Sequence, residues 1–194
     1  MGLQRLSRFV GDLAALVEGE AREPELLRAG GALLGDLVRH DDWLPDAFAE
    51  PDPVRYRQYL LYCDPAKRFS VVSFVWGPGQ STPIHDHTVW GLVGVLRGAE
   101  LSQRFSEAAD GSLAPGAVDR LGPGQVEALS PAEGDVHQVS NAFADRVSVS
   151  IHVYGADIGA VSRSTYEPSG AARPFVSGYS NARVPDLSAV SSPS

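Results

Sequence analysis

Two histidines stand one residue apart in Pro83-Ile84-His85-Asp86-His87-Thr88-Val89-Trp90-Gly91. In an extended chain, residues two apart project to the same face, so both imidazoles can reach one point. Gly77-Pro78-Gly79 precedes them and the apolar run Leu92 to Leu96 follows. That pattern describes a loop feeding a buried strand with two nitrogen donors at its start. His137 lies fifty residues on, in Gly134-Asp135-Val136-His137, and His152 follows in Ser150-Ile151-His152-Val153-Tyr154. Ser150, His152 and Tyr154 fall at i, i+2 and i+4, on one strand face. A hydroxyl, an imidazole and a phenol in that order can form a hydrogen-bonded chain, which fixes the imidazole tautomer and holds an acidic O–H in place. The expectation is a metal site of His85, His87 and His137 inside a small β-barrel, with Ser150, His152 and Tyr154 as a catalytic layer beside it. The fifth histidine, His40, falls at a helix end, where a cation suits the helix dipole and nothing local pairs with it.

Helices and strands must position these groups. Residues 3–20 read as an amphipathic helix, with Leu6, Phe9, Val10, Leu13, Leu16 and Val17 at helical spacing. A second helix starts near Pro24, since proline suits a first turn. Its stripe is Leu26, Leu27, Leu33, Leu34, Leu37 and Val38, weakened by Gly30 and Gly31. After a loop over 41–53, strands are expected at 56–63, 69–76, 91–97, 99–106, 117–121, 125–129, 136–140 and 146–154. In the first of these, Tyr56, Gln58, Leu60 and Tyr62 share one face. Short strands between glycine and proline turns predict an antiparallel sandwich or barrel. Beyond Tyr154 the periodicity is lost, and residues 166–194 read as a surface wrap that frays from Leu187. The whole reads as a single domain over 1–194, with a helical cover over 1–50, a barrel over 55–156 and a C-terminal wrap and tail over 157–194.

Composition narrows the partners. Of 194 residues, 43% are hydrophobic, enough for a core of normal size. The net charge is -8 and no basic run exists, so nucleic acid and anionic membrane surfaces are repelled. The N-terminal helices carry no basic cluster of the kind a DNA reader needs. The single cysteine, Cys63, permits no internal disulfide and fits a reducing cytoplasm; nothing cationic flanks it to activate the thiol. No stretch approaches the roughly 20 apolar residues that span a bilayer. Arg8, Asp12 and Glu18 interrupt any signal-peptide core. A cytoplasmic protein acting on a small molecule is expected, with no nucleic-acid, membrane or obligate protein partner.

The longer spacing carries a resemblance. Gly79, five residues, His85, one residue, His87, three residues, Gly91, six residues and Gly98 reproduce the first cupin motif. Pro131, Gly134, two residues, His137, three residues and Asn141 match most of the second, with the Pro131–Gly134 gap one residue longer than usual. The stretch from about 56 to 155 therefore resembles the cupin superfamily, which implies a mainly β fold: a double-stranded β-helix, here with two N-terminal helices. Cupins usually carry glutamate where this chain has Gly91. Three neutral imidazoles then leave a divalent metal's charge uncompensated and coordination positions open, which favours an anionic, chelating substrate. Imidazole suits iron, zinc, copper and nickel, so ligand type alone names no metal.

Three histidines without the glutamate, together with Ser150-x-His152-x-Tyr154, resemble the thiol dioxygenases of the cysteine dioxygenase type. The run His85 to Gly91 followed by Leu96-Arg97-Gly98 looks most like the bacterial branch that oxidises 3-mercaptopropionate. The resemblance implies one mononuclear non-haem Fe(II) per chain, with O2 and a small thiol carboxylate as substrates and a sulfinate as product. It implies His85, His87 and His137 as iron ligands and Ser150, His152 and Tyr154 as the outer triad. The mammalian type has a cysteine, crosslinked to the tyrosine, where Gly91 stands here, so no crosslink is expected. It also has a carboxylate-binding arginine where Gln58 falls, with Arg57 adjacent. In the mercaptopropionate branch an arginine shortly after the tyrosine takes that role, which points to Arg163. Trp90 is expected either to wall the pocket or to fill core. The alternatives are an L-cysteine dioxygenase, a different metal cupin, or a ligand-binding cupin without turnover.

Overall fold

A computed structural model describes residues 2–19 and 21–187. Two helices come first, α1 (Gly2–Glu18) and α2 (Glu23–Val38). Leu6, Phe9, Val10 and Leu13 of α1 are buried as one stripe. Pro24 sits in the first turn of α2, and Glu23 and Glu25 lie there with it, where the dipole favours acids. His40 lies exposed just beyond the end of α2. A single 3-10 turn over Asp46–Phe48 then leads into the strands.

Eleven strands follow among the described residues: β1 (Arg57–Cys63), β2 (Ser70–Trp76), β3 (Ile84–His85), β4 (Gly91–Arg97), β5 (Glu100–Glu107), β6 (Leu113–Leu121), β7 (Val126–Leu129), β8 (His137–Asn141), β9 (Ser148–Tyr154), β10 (Arg163–Tyr166) and β11 (Ala172–Phe175). They form two sheets, ordered β1-β2-β9-β4-β7 and β11-β10-β3-β8-β5-β6. Every pairing is antiparallel. This is the cupin double-stranded β-helix, with both helices packed on the first sheet.

β2 and β9 are buried along their whole lengths because both faces are covered. Val71, Val75, Val149, Ile151 and Val153 join α1 and α2 in a helix-side core. Val72, Phe74, Trp76 and Tyr154 point the other way, into the barrel, with Val139 and Ile158. The period-2 alternation thus separates scaffold from site on a single strand. The glycines that weaken the α2 stripe mark its tightest seam. A β-carbon at Gly30 would sit 3.1 Å from Leu92 Cδ1, and one at Gly94 would sit 3.0 Å from Leu34 Cγ. Helix and sheet approach this closely because neither position carries a side chain.

The structure departs from the expectations at several places, one of them β3, a two-residue strand in a stretch read as loop. A register shift between Leu60 and Tyr62 moves Tyr62 out of the Tyr56–Gln58–Leu60 face and onto Phe69 and the helix-side core. β6 begins at Leu113, four residues before the expected 117. The chain after Tyr154 is more than a wrap, since β10 and β11 extend the second sheet. Of the expected fray, Leu187 is partly buried against the helix-side core, and residues 188–194 lie outside the described residues.

Trp90 closes this end of the helix-side core, and Gly155 N–H donates to its carbonyl at 3.0 Å. A β-carbon at Gly155 would lie 2.6 Å from the indole Cδ1. Gly155→Ala is therefore expected to displace Trp90 and destabilise the fold by about 1–3 kcal/mol, the usual cost of overpacking. Equilibrium denaturation with urea measures this; an unchanged midpoint would show that Trp90 is free to move.

Candidate metal centre

His85 and His137 face each other directly across the β3–β8 pair, so their side chains share a face. β3 is only two residues long, and His87 lies beyond its end. The chain turns at Thr88, with φ 60°, and the His87 backbone N–H donates to Asp135 Oδ2 at 2.7 Å. Strand alternation alone therefore does not aim His87. A loop pinned by a carboxylate does. Asp86, between the two histidines, turns outward and accepts from Ser164 N–H and from the Tyr166 hydroxyl, both at 2.8 Å. β10 thus clamps the loop from behind.

The three rings form a nearly equilateral triangle, with centroids 4.8, 4.9 and 4.8 Å apart. One donor atom from each lies within 4.8 Å of the others. Each Nδ1 faces away from the centre. It meets the Pro83 carbonyl at 3.1 Å in His85, Asp135 Oδ2 at 3.3 Å in His87 and Ser102 Oγ at 3.4 Å in His137. That leaves the three Nε2 atoms for a shared ligand. His87 Nε2 is buried with no hydrogen-bond partner, a costly arrangement unless something binds there.

Burial lowers all three pKa values. His85 falls to about 4, with the Pro83 carbonyl opposing the shift. His87 and His137 fall well below the usual range, first through burial and then through their neighbouring histidines. The rings are neutral at pH 7, the form that ligates a cation. The cluster fits one metal ion held by His85, His87 and His137, each braced at its outer nitrogen in the manner of metal-bound histidines.

The Ser150–His152–Tyr154 chain lies on the facing sheet, on β9. Ser150 Oγ is 2.8 Å from His152 Nε2, and His152 Nδ1 is 2.8 Å from the Tyr154 hydroxyl. The Trp76 indole N–H donates to Ser150 Oγ at 3.2 Å. Phe74 stacks on His152 with centroids 4.0 Å apart, and Tyr154 stacks on His87 at 5.5 Å. The second stack joins the two groups of side chains. Burial drops the His152 pKa to about 3 and raises that of the Tyr154 phenol, so both are neutral across the physiological range.

Arg163, the first residue of β10, is 6% exposed. It donates to Ser177 Oγ at 2.8 Å and covers the Phe175 ring at 4.7 Å, while its Nε has no partner. Its charge is felt at His85, His87 and Tyr154. Gln58 lies opposite Phe74 on β2 and so shares the barrel-facing side, whereas Arg57 is ion-paired with Asp52. Gln58 also lines a hollow of about 390 Å³ with Tyr56, Ser177 and Tyr179, beside Arg163. A larger hollow of about 520 Å³ lies between α1 and α2, and a histidine lines neither of the two. Trp90 is placed on the helix-side core, away from the rings of the centre. The Cys63 thiol is half-buried on β1, and burial raises its pKa, which leaves it unactivated.

Residues 39–165, more than half of the chain, match the family model described as cysteine dioxygenase type I. The chain belongs to the cysteine dioxygenase type I family. Solved structures with a similar fold include an uncharacterized conserved protein with a double-stranded beta-helix domain from Klebsiella pneumoniae subsp. pneumoniae MGH 78578. It is 18% identical over 60% of this chain and 90% of its own, with a TM-score of 0.47. A cupin superfamily protein from Desulfitobacterium hafniense DCB-2 is 14% identical over 61% of this chain and 94% of its own, with a TM-score of 0.46.

Among the features of this family member, Gly91 pairs directly with Tyr154, and a β-carbon there would lie 3.3 Å from the Tyr154 ring. A side chain at 91 would therefore abut the phenol, and in this chain the ring edge is free. Two participants escape the motif reading. Asp135 orients His87, and Glu100 lies buried near Ser150. The Glu100 signal is present in the sequence as one acid inside the run Leu96-Arg97-Gly98-Ala99-Glu100-Leu101 at the start of a strand.

Proposed function

We propose that this protein is an Fe(II)- and O2-dependent thiol dioxygenase that converts 3-mercaptopropionate to its sulfinate. The observation that carries the reading is the pairing of three neutral, carboxylate-free imidazoles with a buried, incompletely partnered arginine. A thiolate supplies negative charge at such a centre, and Arg163 supplies a bidentate partner for a carboxylate on the same small molecule. When bound, the iron supplies the redox chemistry by which RS⁻ and O2 become RSO2⁻, both oxygen atoms ending on a sulfur that loses four electrons. The protein's own part is positioning. Arg163 holds the carboxylate, and Tyr154 presents its O–H beside the metal centre. His152 and Ser150 keep that phenol in place. The packed barrel wall of Phe74, Trp76 and Val139 excludes water.

The preference for 3-mercaptopropionate over L-cysteine follows from charge. The hollow beside Arg163, which none of the three histidines lines, carries Arg55 and an Arg57 whose partner Asp52 is already engaged. The ammonium of cysteine finds no counter-ion there, and the deaminated analogue has none to place. The test is anaerobic Fe(II) loading, then oxygen uptake and sulfinate formation with each thiol in parallel. Matched uptake and sulfinate, faster with 3-mercaptopropionate, support the reading. Uptake with cysteine alone overturns the substrate, and uptake with neither thiol in iron-loaded protein overturns the reaction. Arg163→Leu is expected to raise KM for 3-mercaptopropionate about tenfold to a hundredfold, the worth of a charged hydrogen-bond pair. An unchanged KM would remove Arg163 from the carboxylate site.

A further inference from the structure

The chain of hydrogen bonds through Ser150, His152 and Tyr154 begins at Ser150, which also accepts from Trp76, and a buried acid stands beside that end. Glu100, the first residue of β5, reaches it from the facing sheet and is 0% exposed. Ser148 Oγ lies 3.2 Å from Glu100 Oε1 and 3.0 Å from the Arg97 carbonyl, to which it can give its one proton, and Glu100 Oε2 is buried with no partner. The Ser150 hydroxyl and the Trp76 indole N–H lie beside the same carboxyl.

Among the described residues no cation is paired with this acid. β2 presents Trp76, β9 presents Ser148 and Ser150, β8 places Asn141 directly across from it and β6 places Leu121. The titratable groups that face it are His152 and Tyr154, further along the chain. A buried carboxylate with one bare oxygen and no cation is costly, so the resting form is the neutral acid. Burial pushes its pKa up to about 8.

Counting donors leaves two arrangements. Trp76 can only donate, and it gives its N–H to Ser150 Oγ. Neutral His152 has one N–H and one lone pair, at two nitrogens each 2.8 Å from a hydroxyl oxygen. Either Ser150 donates to Nε2 and Nδ1–H donates to the Tyr154 oxygen, or every bond runs the other way.

We propose that Glu100 is a positioning residue that sets the direction of this chain. As a neutral acid it leaves the Ser150 proton for His152 Nε2. His152 then donates from Nδ1 to the Tyr154 oxygen, and the phenolic proton is free to serve the site. Ionised, Glu100 draws the Ser150 proton to itself. His152 then donates from Nε2, and Tyr154 must donate back to Nδ1. One proton is lost to solvent in the change, and each remaining bond reverses. The catalytic consequence rests on the dioxygenase reading above; the tautomer change does not.

The test is ¹⁵N-histidine NMR of the zinc-loaded, diamagnetic protein across the neutral-to-alkaline range, with His152 assigned by its loss in His152→Gln. Wild type is expected to convert from the Nδ1–H to the Nε2–H tautomer as pH rises through the Glu100 transition. Glu100→Gln, whose amide keeps the shape but cannot ionise, should hold Nδ1–H throughout. In iron-loaded enzyme, wild-type turnover should fall about tenfold per pH unit above the transition, and the glutamine variant should lose that alkaline limb. A single His152 tautomer at every pH, or a conversion that survives Glu100→Gln, overturns the proposal. If the variant does not fold, the wild-type titration alone decides. A tautomer change in a protein that oxidises no thiol supports the role of Glu100 and overturns only the reaction assigned above.

Discussion

His137→Ala loses stoichiometric metal. Three imidazoles converge here with their outer nitrogens engaged, and the alanine variant keeps two of them. Losing only a partner that braces a ligand costs about tenfold to a hundredfold in metal affinity, so losing the ligand costs at least the upper end of that range. Elemental analysis after anaerobic Fe(II) loading and desalting should find near-stoichiometric metal in wild type and little in the variant. His40→Ala is the control, because that side chain is exposed beyond α2. Full occupancy in His137→Ala would take His137 out of the ligand set. The barrel should survive the change, because β8 is held by β5 through five register pairs.

Tyr154→Phe separates the two layers of the site. The ring stays stacked on His87 and packed in the barrel, so metal content should be unchanged. What is lost is the hydroxyl, which leaves His152 Nδ1 without its 2.8 Å partner. Turnover is expected to fall about a hundredfold or more, the usual contribution of a positioned proton donor or oxyanion-type hydrogen bond. The loss should appear in kcat more than in KM, since the carboxylate contact proposed for Arg163 is untouched. The direction of the phenol's pKa matters here: burial raises it, so the group remains an O–H donor through the whole working range. A phenylalanine enzyme that turned over normally would remove the triad from catalysis.

The three-histidine cluster was legible because its signal is local in type and long in spacing: His85-x-His87, then His137 within a glycine-framed pattern. The triad was legible for a simpler reason, since i, i+2 and i+4 on a strand admit one geometry. Other elements left weaker marks. β10 and β11 are four residues each, and neither Arg163-Ser164-Thr165-Tyr166 nor Ala172-Arg173-Pro174-Phe175 shows apolar alternation; β11 is the edge strand and β10 the one next to it. The β1 bulge is invisible in sequence, since a register shift changes which face a residue takes without changing its type. Gly30 reads as a flaw in a helix and is instead the contact surface for Leu92. Asp135 and Glu100 each meet a partner 48 residues away in sequence, and no local pattern announces such a pair.

The division of labour between the sheets has a mechanical consequence. All three metal ligands and Arg163 belong to one sheet and its loop, while the phenol, its imidazole and its serine belong to the other. A metal held by these histidines would be gripped by a single jaw, so loading it would ask nothing of the gap between the sheets. A substrate that touches both the ion and Tyr154 spans the two jaws, and its fit is a measure of their opening. At one end the jaws are pinned, where Asn141 donates to the Trp76 and Gly77 carbonyls and Ser148 Oγ lies 3.2 Å from Glu100 Oε1. The opposite end is bridged as well, because the chain leaving β11 returns to β1: Ser180 exchanges hydrogen bonds with the Gln58 backbone and Asn181 with that of Leu60, so the bite at Tyr154 is set from both ends.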